Sequence, residues 1–461
     1  MHRSFAGKLL FIAIFLSATF ILLKVSQNRS NSPVHYADAI EHFKYGSIGA
    51  EVNGYPYLVW RELPTIYKKE LPRGWETFGF IHEPRKELPV GISVRKYGVN
   101  RVGFNCAACH TSRIQGQANI LLGAPADQLD LQHYLRFLVN VSKDENFSAD
   151  KVFASAKDNQ RPFSQLDKII YRFYVIPKIR SELKGYEAED GAWMATRADH
   201  GPGRTDAGNP WRQKFGMHPE RDLLNGAVDM PSMWNQRIRA NLWMHWDGNN
   251  SSLAERNLSA ALAGGATEKS LDHASIKRVA AWAIDAPSPR YPQPVSVQSS
   301  ELGRKVFGNY CASCHQPDGP KFGKVISLAD IGTDPDRVTL FSKEMVKAFG
   351  NVGQGTPWQF KNYRQSDGYV AAPLDGIWAR APYLHNGSVP TLQDLLSPPE
   401  KRPKIFLKGC SNFDFAKIGR SCDQGFEFDT SLRGNRNTGH VYGTDLTAPE
   451  QAALIEYLKT L

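Results

Sequence analysis

Two short cysteine–histidine patterns constrain this chain more than anything else in it. Cys106-Ala-Ala-Cys109-His110 and Cys311-Ala-Ser-Cys314-His315 both fit C-x-x-C-H, the pattern that attaches c-type haem. The spacing serves the chemistry: two thiols add to the two vinyl groups on one porphyrin edge, and the next residue, histidine, comes under the ring to bind iron. The two pairs could share a zinc ion, but they lie too far apart in the chain for a compact zinc ribbon. A thioredoxin-like dithiol would want a βαβ setting, which the flanking sequence lacks. The expected cofactors are therefore two covalently bound c-type haems. Cys106, Cys109 and His110 would hold the first, and Cys311, Cys314 and His315 the second.

The chain has six cysteines, so two remain. Cys410 and Cys422 lie in one glycine-rich loop and are expected to pair in an oxidising compartment. Closing a loop of that size contributes roughly 3 kcal/mol.

The compartment is read from the amino terminus. Leu9 to Leu23 form one apolar run, with Arg3 and Lys8 before it and Lys24 and Arg29 after it. A positive flank before an apolar stretch is an export signal. No small-x-small cleavage site follows, so the run reads as an uncleaved anchor. It is shorter than the ~20 residues of a comfortable span, though Lys24 could snorkel to the interface. The expectation is a bacterial inner-membrane anchor with the rest of the chain in the periplasm, or a secreted protein if the segment is cleaved. The formal net charge of +10 is spread along the chain and too diffuse to argue for nucleic acid.

The proline-rich stretch Ala286 to Pro294 is a linker candidate. It divides the chain into residues 1–28 (anchor or signal segment), 29–290 (an N-terminal haem domain) and 295–461 (a C-terminal cytochrome c-like domain). In the last, Ser299 and Ser300 can cap a helix whose Leu302, Val306 and Tyr310 share a face. Thr447 and Glu450 form a capping box ahead of a final helix, and Gly303 lets the two helices approach closely. The expected fold is mainly α: two cytochrome c-like haem domains with long irregular loops, plus one N-terminal membrane anchor helix. Trp211, Phe215 and Trp234 are candidates for the first haem pocket by local composition.

At this level of detail the chain resembles the bacterial di-haem cytochrome c peroxidase superfamily. Arg380-Ala-Pro-Tyr-Leu-His385-Asn-Gly-Ser matches that family's C-terminal stretch, and His245-Trp246-Asp-Gly its inter-haem tryptophan segment. The Gly46–Glu51 and Pro89–Gly91 segments and FNCAACHT look most like the rubber oxygenase branch. The resemblance implies His385 as the sixth ligand of the second haem, with His440 and Met345 as alternatives, because Pro399 stands where the peroxidases place a methionine. It implies an inter-haem role for Trp246 and puts His245 near the first haem. It makes calcium doubtful, since Arg380 replaces a threonine at the calcium site and could pair with a haem propionate instead.

The functional expectation is an exported oxidoreductase whose first haem activates peroxide or dioxygen and whose second relays electrons. Its expected partners are a membrane, a periplasmic electron-transfer protein and a small-molecule oxidant. The competing readings are a pure electron carrier with both irons six-coordinate and an assembly factor with structural haem.

Overall fold

The computed structural model describes residues 32–186 and 191–461. Helix accounts for 39% of the described residues and strand for 11%, so the expectation of a mainly α chain is corrected to a mixed one. The strands escaped notice because they are short. Among the described residues they form six two-stranded ribbons, several only two residues long, too short to show an alternating pattern. The anchor expectation is corrected as well. Among the described residues no helix is long and apolar enough to cross a membrane, and the Leu9–Leu23 run that carried the idea lies outside them.

The second motif is delivered by a long helix, Val297–Tyr310. It starts earlier than Ser299, because the Ser296 hydroxyl accepts from the Ser299 amide and caps it. Its buried face is Gly303, Val306 and Phe307, whereas Leu302 and Tyr310 are exposed. This face crosses the last helix, Ala448–Leu458, where the Glu450 carboxylate accepts from both the amide and the hydroxyl of Thr447. The crossing is so close that a Cβ on Gly303 would lie 1.9 Å from the Ala453 carbonyl oxygen.

The first motif follows an antiparallel hairpin, Ile92–Tyr97 with Val99–Phe104, which turns at Gly98 with positive φ. This half has its own large aromatic core, including Trp60, Trp75 and Tyr134. Two other clusters draw on both halves. Trp211 and Leu258 pack with Phe341, Met345, Phe349 and Phe360, and Ile114, Ala124 and Trp234 pack with Trp378, Tyr383 and Leu454. The Ala286–Pro294 stretch is fastened to the second half. Trp378 Nε1 donates to the Pro289 carbonyl, and the Tyr291 hydroxyl to that of Phe415.

Candidate functional site

The helical turn Cys106–Cys109 is fixed from several sides. The Asn105 side chain accepts from the Ala107 amide at 3.0 Å, capping the turn. Its amide nitrogen donates to the carbonyls of Lys44 and Gly46, tying the turn to helix Ala39–Tyr45. The backbone at Gly91 passes so close that a Cβ there would stand 2.3 Å from Ala108 Cα. Cys106 and Cys109 thus share one face of the turn. His110 follows, with Nδ1 2.8 Å from the Pro231 carbonyl oxygen. A carbonyl acceptor at Nδ1 selects the tautomer whose Nε2 is free to bind a metal. Burial pushes His110 down to about 4, so the ring is neutral near pH 7, the form that ligates. Burial pushes the Cys106 and Cys109 thiols up, to about 11 and about 12. A working dithiol is shifted the other way.

The second motif repeats this arrangement. The Cys311 amide donates to the Phe307 carbonyl as the long helix ends, the turn Ala312–His315 follows, and His315 Nδ1 lies 2.8 Å from the Ala372 carbonyl oxygen. Here a second imidazole lies near the first, tilted by 42°. The His315 and His440 ring centres are 6.4 Å apart, and metal–nitrogen bonds of about 2 Å on each side place two imidazoles sharing one metal roughly 6 Å apart. Burial, then the nearby His315, holds His440 down to about 3, and its Nδ1 is buried without a hydrogen-bond partner. These donor sets fit covalently held haem: paired thiols on a helical turn, a neutral histidine with Nε2 presented, and at one site an opposed imidazole.

His385 is placed differently. Its Nε2 is 2.9 Å from the Tyr369 hydroxyl and the two rings stack at 3.9 Å. Met345, fully buried, sits in the aromatic cluster of Phe341 and Phe349. His440 was an alternative in the sequence, and only the fold distinguishes it, because the residue it faces is far away in the chain.

Trp246 is hydrogen-bonded to the two segments whose carbonyls accept from His110 and His315. Its Nε1 donates to the Asp229 carbonyl at 2.8 Å, two residues before the Pro231 that accepts from His110. Its own carbonyl accepts from Val370 at 2.9 Å, two residues before the Ala372 that accepts from His315. Trp211 and Phe215 pack in the mixed aromatic cluster against which Cys106 rests. Sequence reasoning missed their partners there, Phe341, Phe349 and Tyr363, because those come from the other half. Trp234 lies in a different cluster and donates to the Leu122 carbonyl. His245 pairs through Nδ1 with Asn249 at 2.6 Å and lies 6.2 Å from the Tyr363 ring.

Arg380 forms an ion pair with Asp375 and donates to the carbonyls of Pro373 and Asp375, and only its Nε is buried without a partner. A disulfide joins Cys410 to Cys422. Its loop docks beside the first motif: Arg420 pairs with the buried Asp127 and donates to Ser112 and to the carbonyls of Arg113 and Ser411.

Comparison with known proteins agrees with this chemistry. Residues 368–407 match a family described as RoxA-like, cytochrome c-like, which supports haem c as a cofactor and a haem-dependent cytochrome oxidoreductase as the general class. Two proteins of Sinorhizobium fredii are similar over longer stretches. The uncharacterized protein y4iJ is 28% identical over 504 aligned positions, covering 85% of this chain and 82% of that one. The uncharacterized protein y4iM is 32% identical over 297 residues, covering 54% of this chain and 67% of that protein. On that identity and coverage, the chain belongs to the same family as y4iM.

Proposed function

We propose that this chain is a di-haem c-type cytochrome oxidoreductase with an accessible metal at the first motif and a closed, electron-relaying metal at the second. When bound, the haems would supply redox chemistry: activation of peroxide or dioxygen at the first site and one-electron storage at the second. The carrying observation is the asymmetry of the two histidines. His315 has His440 opposite it, whereas among the described residues no such ring pair involves His110. A bis-histidine site is saturated and suits electron transfer, and a site with one protein ligand leaves a position for an outside reactant.

The side chains then divide the work. Cys106 and Cys109 would tether the first group, and His110, turned by Pro231, presents its Nε2. Trp211, Phe215, Phe349 and Tyr363 provide an apolar, water-excluding wall next to Cys106. Trp246 bridges the segments that orient His110 and His315, the place for an aromatic that couples the two metals.

Two spectra test this reading. His440→Ala converts one haem from low-spin to high-spin, whereas His385→Ala leaves the spin state unchanged. The reverse result would restore His385 as the ligand and overturn the assignment.

A further inference from the structure

How His440 is held differs from how the other two histidines are held. His110 and His315 are each turned by a hydrogen bond from the ring itself to a carbonyl. His440 Nδ1 has no partner, so its ring direction comes from its backbone together with the edge contact to Tyr442 at 5.3 Å. That backbone is unusual. His440 has φ +47° and Gly439 φ +72°, a left-handed pair that a non-glycine residue adopts only where its surroundings impose it. The segment presses against a neighbouring turn: a Cβ on Gly439 would stand 2.3 Å from the Ile331 oxygen and the Gly332 carbonyl carbon. The His440 amide donates to Ile331 at 2.8 Å, and the Thr438 hydroxyl to Gly332 at 3.1 Å.

The remaining anchor is Arg402, which is 2% exposed. Its Nη1 donates to the carbonyls of Asn437 at 2.6 Å and Gly439 at 2.8 Å. Its Nη2 donates to His440 at 3.1 Å and Leu395 at 3.2 Å, and its Nε to Ser397 at 3.1 Å. Five donors thus meet five carbonyls, the full capacity of a guanidinium. Three lie on the segment that carries His440, and two lie at the end of helix Leu392–Leu395.

We propose that Arg402 is the positioning residue of the second site: its guanidinium ties the Asn437–His440 backbone to the Leu395–Ser397 turn and so aims the His440 imidazole at His315. This rests on the reading of His440 as the second ligand. Arg402 touches neither metal nor substrate and acts through the backbone alone. Lysine cannot replace it fully, because an ammonium has three donors for five carbonyls.

The test uses the full holoprotein in wild-type, Arg402→Gln, Arg402→Lys and His440→Ala forms. Haem content, thermal midpoint and the low-spin bis-histidine signal in electron paramagnetic resonance are recorded, with and without imidazole. We expect Arg402→Gln to lose at least half of that signal while keeping both haems, Arg402→Lys to lose a smaller share, and added imidazole to restore the signal in both. Full retention of the signal in a folded Arg402→Gln protein overturns the proposal. If that variant does not fold, full retention in Arg402→Lys overturns it equally. A His440→Ala protein that keeps the signal instead removes the ligand reading on which the proposal stands.

Discussion

The same five-residue pattern sits in two unlike surroundings. The first copy is built into a turn clamped by Asn105 and a close backbone pass at Gly91, with Ala107 and Ala108 buried and an aromatic wall assembled from both halves. The second copy is at the end of a long helix, with no fully buried residue in its turn, and meets an imidazole from the far end of the chain. The comparison teaches that C-x-x-C-H specifies attachment and one ligand only. What the site can do is decided by the residue opposite, and no motif spacing encodes it.

The largest expected effect breaks the comparison outright. A Cys106→Ala, Cys109→Ala double variant should lose one of two covalent haems and all peroxide- or dioxygen-dependent turnover, while the second haem keeps its low-spin spectrum; haem stain and pyridine haemochrome quantification check this. If both haems were lost, the two sites would not be independent.

Acid should strain the first half. Burial pushes the buried His200 down to about 4. That folded-state value lies below the ordinary 6.5, so the unfolded chain takes up the proton first. The stability this group contributes is present above about pH 6.5 and is lost as pH falls toward 4. Urea unfolding at stepped pH measures it. His200→Asn should flatten the slope over that range.

Gly303→Ala should act on the second site's scaffold alone. The added methyl would meet the Ala453 carbonyl at 1.9 Å, costing about 3 kcal/mol as the helices part, read as a lower unfolding midpoint. An unchanged midpoint would mean that the helix crossing is looser than described.

How far the sequence foretold all this differs between the same two regions. The long helix, its glycine crossing and the terminal capping box were legible because they are local: Gly303, Thr447 and Glu450 act within their own turns or at one crossing. The hairpin before Cys106 was not legible, since Ile92–Phe104 carries no clean alternation. The wall near Cys106 was half legible. Trp211 and Phe215 stood out by composition, but Phe349 and Tyr363 arrive from the other half through tertiary packing. His385 came first because it lies in a recognisable stretch, and His440 stood only as an alternative, because the residue it lies near is set by the fold. Arg402 carried no signal, since five backbone carbonyls leave no trace in sequence.

The smallest effect sharpens the link between the sites. Trp246→Phe removes the bond to the Asp229 carbonyl, about 1 kcal/mol. It should slow electron exchange between the two metals roughly tenfold, a barrier change of about 1.4 kcal/mol, with both haems retained. Rapid reduction followed by stopped-flow absorbance at the two haem bands reads the rate.

The central claim, one open metal and one closed, is tested most directly by titrating the reduced protein with carbon monoxide and following the Soret band. On the proposed function, one equivalent is expected per two haems, rising to two in His440→Ala. A wild-type protein that binds none, or that binds two, contradicts it.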